Sequence, residues 1–371
     1  MSRSIHVAML VALVAVSLCV FVQPAVSQGC AGQMNIPVYP SERQDYWGVA
    51  AADGYAYTVS CSNRPSWTGK LKVFDVREPS HPVETGTLEI NCAGNLVLSG
   101  RYAYVDQYDG NIAHVSVIDI SDPSHPIEAG SIGGVRSIEA ISNGYAYAVD
   151  SVGLRVFDLT DPATPREVGV LEAELGFISR NVAVAGNYAY VTSARDNQLT
   201  GYLHIVDVSD PEAAFFVGRV DVREPAPNHV AVSGDYAYVV TGGSFWQGEL
   251  TAVDVSDPRA PVVVTQFYDG TSPKRPVVSG RFLYSMCKGD GYSYPLVFDL
   301  SDPSQPQKIL WRNEVLVDFD GDQILWGWGS YNALCVGGRY VYTVGRLGLV
   351  IFDSRGCLYH EMPQERPDAF E

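Results

Sequence analysis

Seven copies of one strand-rich unit, a spacing of 39 to 54 residues between them and no amphipathic helical period predict an all-β chain. A four-stranded unit of about 40–50 residues repeated around a ring is a propeller blade. The expected architecture is therefore a seven-bladed β-propeller of four-stranded antiparallel blades.

The second half of each unit is its clearest mark. Leu-x-Val-Phe-Asp-Val-Ser-Asp-Pro-x-x-Pro recurs, with variations, at Leu71–Pro82, Val115–Pro126, Leu154–Pro165, Leu203–Pro211, Leu250–Pro261 and Leu296–Pro306, with a clipped copy at Leu349–Asp353. Its repeated aspartates, Asp75, Asp119, Asp158, Asp207, Asp254, Asp299 and Asp353, set the spacing. Seven equivalent carboxylates read as hydrogen-bonders at strand ends and turns rather than as catalysts, because an Asp side chain readily accepts from nearby backbone N–H groups and Pro presets φ. The first half is an apolar strand running into Gly-x-Tyr-Ala-Tyr-Val, as at Asn143–Tyr147 and Gly186–Tyr190. Val, Ile, Tyr and Phe suit a pleated surface, and Gly, Asn or Asp before the tyrosines suits a hairpin position of positive φ. The seventh unit lacks the Ser-Asp-Pro turn and a clear fourth strand. Met34–Tyr39 is a spare strand that can complete it, close the ring and remove an open edge.

The ends frame this single domain. Arg3, the apolar run Val7–Val22, the break at Gln23-Pro24 and the small residues Ala25-Val26-Ser27 predict a secretory signal over residues 1–27. A membrane anchor and a lipid-modified Cys30 are the alternatives. The propeller then spans residues 28–358, and 359–371 form a polar tail. No later segment is apolar for long enough to span a bilayer as a helix. With 25 Lys+Arg against 42 Asp+Glu, the net charge of −17 argues against nucleic acid and anionic membranes as partners.

Ile205-Val206-Asp207-Val208-Ser209-Asp210-Pro211, with the upstream Gly-x-Tyr-Ala-Tyr-Val copies, resembles the LVIVD-repeat proteins. The resemblance runs over nearly all of residues 45–355. It implies an exported or surface-associated propeller, free in the periplasm or at the cell surface, and carries no catalytic residues with it. The clipped seventh unit departs from it, and so does the fourth, where Ala213-Ala214-Phe215-Phe216 replaces the second Pro.

Six cysteines lie beyond the leader, an even number that predicts disulfides in an exported chain. In a blade, the loop after the second strand shares a face with the loop into the next blade. Cys61 with Cys92, and Cys287 with Cys335, occupy what read as equivalent places, and Cys30 with Cys357 would lock the termini. No Cys-x-x-Cys cluster favours a metal instead.

That same face carries the irregular loops. Just before each innermost strand stand Trp47, Asn95, Arg136, Arg180–Asn181, Asn228–His229, Lys274–Arg275 and Asn332. Arg136, Arg180, Asn228, His229, Lys274 and Arg275 could form an anion-binding mouth, or merely neutralise acids such as Glu139, Glu174, Glu224 and Asp269. Aromatics on the outer loops (Trp67, Tyr108, Trp246, Trp328) could stack on sugars, anchor a protein, or simply pack. Asp318, Asp320 and Asp322 have the alternation of a Ca²⁺ loop, but no acid follows at the distance that completes one. The expectation is therefore no cofactor, with Ca²⁺ as the alternative. His81 and His125 fall in turns of the opposite face and read as solvated; His204 falls on a strand face that holds any residue elsewhere.

No serine-nucleophile elbow, phosphate loop or zinc pattern is present. The sequence thus predicts a secreted, monomeric, non-catalytic propeller that binds a protein or glycan through its loop-rich face. The competing expectation is a hydrolase or lyase acting on a small anionic ligand, with His229 as acid/base and Arg180 and Arg275 as the anion clamp.

Overall fold

The computed structural model describes residues 34–35, 45–62, 67–173, 177–195, 201–222, 227–241, 248–268, 273–289, 292–310, 316–317, 323–324, 331–345 and 348–353. Within them the chain forms antiparallel sheets: five of four strands, one of seven, and a two-stranded ladder of Leu316–Val317 with Gln323–Ile324. The seven-stranded sheet holds repeats one and two, because Val83–Ser99 ends one repeat and begins the next without a break. In a typical repeat the strands pair in chain order, as Phe177–Ala185, Tyr188–Arg195, Gly201–Asp207 and Phe215–Val222 do. The last repeat draws its fourth strand from the other end of the chain: Met34–Asn35 pairs with Gly348–Asp353, Met34 opposite Phe352.

The first strands of the repeats adjoin in turn. They are Asp45–Ala52, the second half of Val83–Ser99, Ala140–Ser142, Phe177–Ala185, Pro227–Ser233, Pro273–Ser279 and Tyr331–Gly337, and the last of these lies beside the first. Apolar residues fill the space between neighbouring sheets. Tyr57, Val59, Leu71 and Val73 of repeat one meet Ala93, Leu96, Ala103 and Val105 of repeat two. Tyr46, Val49 and Phe74 meet Ala333, Tyr342, Val344 and Leu349 of repeat seven. The second tyrosine of every Tyr-x-Tyr pair is buried in such a layer, from Tyr238 at 0 % exposure to Tyr190 and Tyr342 at 5 %. Burial pushes the phenols of Tyr57, Tyr104, Tyr147, Tyr238 and Tyr342 up to about 12, so they stay neutral.

Two local devices fix the distance between sheets. The repeated aspartate caps the turn after it: Asp119, Asp158, Asp207, Asp254 and Asp299 each accept the amide two residues on, at 2.8–2.9 Å. The aspartate of each Asp-Pro does the same at Asp122, Asp161, Asp210, Asp257 and Asp302. That turn then inserts against a glycine on the outer strand of the preceding repeat. A Cβ on Gly86, Gly130, Gly169 or Gly218 would come within 1.8–2.4 Å of the carbonyl of Pro123, Ala163, Pro211 or Pro258. Repeat five has Thr265 at this place, and there the Tyr238 hydroxyl donates to the Pro303 carbonyl (3.2 Å) instead.

Replacing one of these glycines should force neighbouring sheets apart. Gly130→Val is expected to cost about 1–3 kcal/mol by overpacking, read as a lower denaturation midpoint in urea. The turn carboxylates predict a second effect. Asp119, Asp122, Asp158, Asp207 and Asp254 are held below the ordinary carboxylate range by hydrogen bonds from the residues that follow, and Asp75 is lowered to about 2 by its bonds from Arg77. Groups depressed in the folded state stabilise it fully above their unfolded pKa and lose that contribution as pH falls through the folded value. The melting temperature should therefore drop between about pH 4 and pH 2 and change little from these groups above pH 5.

Candidate functional site

The first strands do not run regularly. Against its second strand, the register slips between Tyr46 and Gly48, Ala93 and Leu96, Ser179 and Asn181, Pro227 and His229, Lys274 and Val277, and Tyr331 and Ala333. The extra residues are Trp47, Gly94–Asn95, Arg180, Asn228, Arg275–Pro276 and Asn332. A β-bulge breaks the in–out alternation and re-aims the side chain it carries. In repeat three the strand is short, and an irregular segment with Arg136, Ser137 and Glu139 leads into Ala140–Ser142. Every residue expected before an innermost strand thus stands at or beside an interruption, at one level of the fold.

Contacts knit this level together across distant repeats. Arg275 Nη1 donates to Asn95 Oδ1 (3.2 Å), joining repeats six and two. Arg275 does so with φ at +47°, a region costly for a residue with a side chain. Asn181 Nδ2 donates to Glu139 Oε2 (2.9 Å), and its Oδ1 accepts the Val230 amide (3.1 Å), joining repeats three, four and five. The Thr192 hydroxyl donates toward the carbonyls of Asn181 (3.3 Å) and Asn228 (3.2 Å). Trp47 is 41 % exposed, and Gly48 beside it lies against the Asn95 backbone.

Three polar atoms of this level are buried with no hydrogen-bond partner: Asp106 Oδ1, Arg180 Nε and His229 Nδ1. Burial raises Asp106 well above the carboxylate range, with Glu139 adding to the shift and Ser137, Arg275 and the Ile138 amide opposing it. Burial also depresses His229, to about 3, helped by Arg275 and Lys274. An imidazole held so low is neutral and a poor proton carrier near neutrality, which counts against His229 as acid/base.

Asp106 is the residue that sequence reading passed over. Two places past the second tyrosine, the other repeats hold Val59, Val149, Thr192, Val240, Met286 and Val344. A carboxylate in that series is an outlier visible by aligning the repeats.

Other expectations fare unevenly. Cys61 and Cys92 are joined, tying repeat one to repeat two on the loop side. The Cys287–Cys335 pairing is corrected: Cys335 is a free thiol, raised in pKa by burial. The register gives the reason, since Cys335 opposes Tyr342 in mid-strand, as Val97 opposes Tyr104, whereas Cys92 opposes Tyr108 at the strand's start. His204 is also corrected. It is buried at 4 % exposure, with Nε2 2.8 Å from the Ser193 hydroxyl and its ring between Tyr202 and Phe216. Trp67 and Tyr108 pack edge to face at 5.0 Å and form a wall rather than an open platform. His81 and His125 are exposed as expected. Trp246, Trp328, Asp318, Asp320, Asp322, Cys30 and Cys357 lie outside the described residues. Among the described residues no cluster of three metal-binding side chains occurs, and no helix is long and apolar enough to cross a membrane.

Comparison with known proteins agrees with this geometry. The LVIVD repeat model matches residues 92–133, 132–172, 178–222 and 227–269, limits that follow the sheets of repeats two to five. No curated protein matches the chain. Among solved structures, Sqt1 from Chaetomium thermophilum is similar with a TM-score of 0.59 at 14% identity, over 86% of this chain and 99% of that one. The WD40 β-propeller domain of Doa1 gives 0.57 at 11%, over 91% and 99%. A structure from a study of two prolyl endopeptidases gives 0.54 at 14%, over 85% of this chain and 47% of that one. Likeness at such identities establishes the β-propeller fold and nothing about activity.

Reduction tests the Cys61–Cys92 disulfide, which ties two repeats. Cys61→Ser with Cys92→Ser is expected to cost about 2–4 kcal/mol in a urea titration, while Cys335→Ser should change stability far less.

Proposed function

We propose that this chain, which belongs to the LVIVD-repeat family, is an exported, non-catalytic propeller of seven blades that binds a protein or glycan partner on the face where its inner strands begin. Residues 1–27 act as the export signal, and Met34–Asn35 closes the ring by completing the seventh blade. The pairing of Met34 with Phe352 and the apolar layer between repeats one and seven support closure.

The observation that carries the binding reading is the set of register slips. Six first strands are interrupted at one level, and residues of differing chemistry (Trp47, Asn95, Arg180, Asn228, Arg275, Asn332) occupy the interruptions. The turn aspartates and the buried second tyrosines recur from repeat to repeat; these residues do not. Uniform scaffold with varied, re-aimed side chains is how repeat proteins build a recognition surface. The depressed His229 argues against proton-transfer chemistry through that residue, so the hydrolase or lyase mechanism is not carried forward.

A face-specific binding assay tests this. On arrays of glycans and extracellular proteins, binding should fall at least about tenfold in Trp47→Ala and Asn228→Ala and persist in His81→Ala and His125→Ala on the opposite turns. Equal loss from both faces, or none from either, overturns the assignment.

A further inference from the structure

The outer strands of the repeats begin in register, and two of them depart from the rest together. Opposite the repeated aspartate stand Val83, Ile127, Arg166, Phe215, Val262 and Gln307 in repeats one to six. The residues after them are Glu84, Glu128, Glu167, Phe216, Val263 and Lys308. In the first three repeats that glutamate is tied across to the third strand. Glu84 accepts from Lys72 Nζ (2.9 Å), Glu128 from the Ser116 hydroxyl (2.7 Å) and Glu167 from Arg155 Nε (2.8 Å). Repeats four and five put Phe216 and Val263 there, side chains that make no such bond; Phe216 lies against His204 instead, ring centroids 5.5 Å apart. A polar rim thus turns apolar over two adjacent repeats. Phe215, Phe216, Val262, Val264 and Tyr268 are between 39 % and 61 % exposed.

Val83 and Ile127 are also exposed, but each is followed by a glutamate. Single apolar residues of that kind are ordinary on a surface, whereas a contiguous group marks a contact. Here the group is contiguous. The outer strands of repeats four and five touch, and Gly218, two residues past Phe216, receives the Pro258–Arg259 turn that leads to Val262. Val262–Tyr268 also ends its sheet without a charged side chain, although edge strands are normally guarded by charge. The border of the group gives the partner's chemistry. The turns over residues 207–213 and 254–260 hold Asp207, Asp210, Glu212, Asp254 and Asp257 against Arg259 alone. Asp210, Glu212 and Asp257 are exposed. Such a border repels an anionic surface. It repels a second copy too, since the chain carries a net charge of −17 and a two-fold contact would set these acids against their own counterparts. It attracts a cationic segment.

We propose that the outer rim of repeats four and five is a second docking surface, and that it takes a basic, apolar segment of another protein. The partner's large apolar side chains cover Phe215, Phe216 and Val262, and its lysines or arginines meet Asp210, Glu212 and Asp257. This surface lies at the turn ends of the outer strands, apart from the face where the inner strands begin, and does not depend on the reading of that face.

Fluorescence anisotropy of the oxidised chain with three labelled peptides, at about 0.15 M salt, tests it. The peptides alternate lysine with leucine, lysine with serine, and glutamate with leucine. The lysine–leucine peptide should bind at least about tenfold more tightly than either control, because each control lacks one of the two matched features. Phe215→Arg with Val262→Gln copies the residues of repeats three and six into these places. It should weaken that binding at least about tenfold and leave the melting temperature little changed, since both positions are exposed. Phe216→Glu, the residue of repeats one to three, should also weaken it, although it adds a negative charge. Ile127→Gln on the rim of repeat two should not. No preference for the lysine–leucine peptide, undiminished binding in the double variant, or an equal loss in Ile127→Gln overturns the proposal. So does a dimer in sedimentation, or binding to phosphatidylcholine vesicles, that the double variant abolishes, because the occupant is then a second copy or a lipid surface. The peptide comparison needs no variant, so a misfolded variant would not leave it undecided. Array binding lost in Trp47→Ala and peptide binding lost in the rim variant are separate readouts, and either reading can fail alone.

Discussion

Each sheet of this protein is apolar on both faces and has to be sandwiched between neighbours before any of it is stable. Leu71 and Val73 are of no use in repeat one until Ala93, Leu96 and Val105 of repeat two arrive to cover them. The same holds at the seam, where Phe74 and Tyr46 depend on Tyr342 and Leu349 from the far end of the chain. Hydrophobic burial here is a property of pairs of repeats, not of single ones. That constraint explains the glycines of the outer strands. Sheets close enough to exclude water leave no room for a Cβ between Gly130 and the Ala163 carbonyl. It also explains why the turns are so uniform, because each capped Asp-Pro turn is the surface that the preceding glycine receives.

Freedom from that constraint exists only where the sheets stop touching along their length. The first strands begin at one such level, and there the register slips in six repeats. The bulges carry Trp, Asn and Arg where the rest of the strand carries Val and Ala. The strained φ of Arg275 and the lone carboxylate oxygen of Asp106 sit at the same level. Local rules are broken together at one place, which is where function is expected to reside.

Much of this was legible in the residues. The strand content, the repeat spacing and the turn role of the aspartates follow from local chemistry, and the turn bonds of Asp119 through Asp299 match that reading. The Cys61–Cys92 link was legible because both residues flank loops whose topology repeats. Cys335 was misplaced because it was taken to start its repeat as Cys92 does, whereas the register sets it five residues further along the strand. His204 was misjudged because varied chemistry at its position (Lys72, Ser116, Arg155, Thr251) was taken for tolerance, whereas Ser116 and Thr251 are as buried as His204 beside Tyr202 and Phe216.

Sequence by itself determined the repeat, its β-structure, the turns and the ring of candidate residues, because each depends on patterns within some 45 residues of chain. Tertiary structure alone decided which of those residues meet. Arg275 finds Asn95 across 180 positions of sequence, and Asn181 gathers Glu139 and Val230 from either side. It also decided that His229 Nδ1 is buried and its pKa depressed, and that Asp106 is buried with Ser137 and the Ile138 amide bonded to its carboxyl. Burial and long-range partners depend on how separate repeats are brought together, and no local pattern encodes that distance.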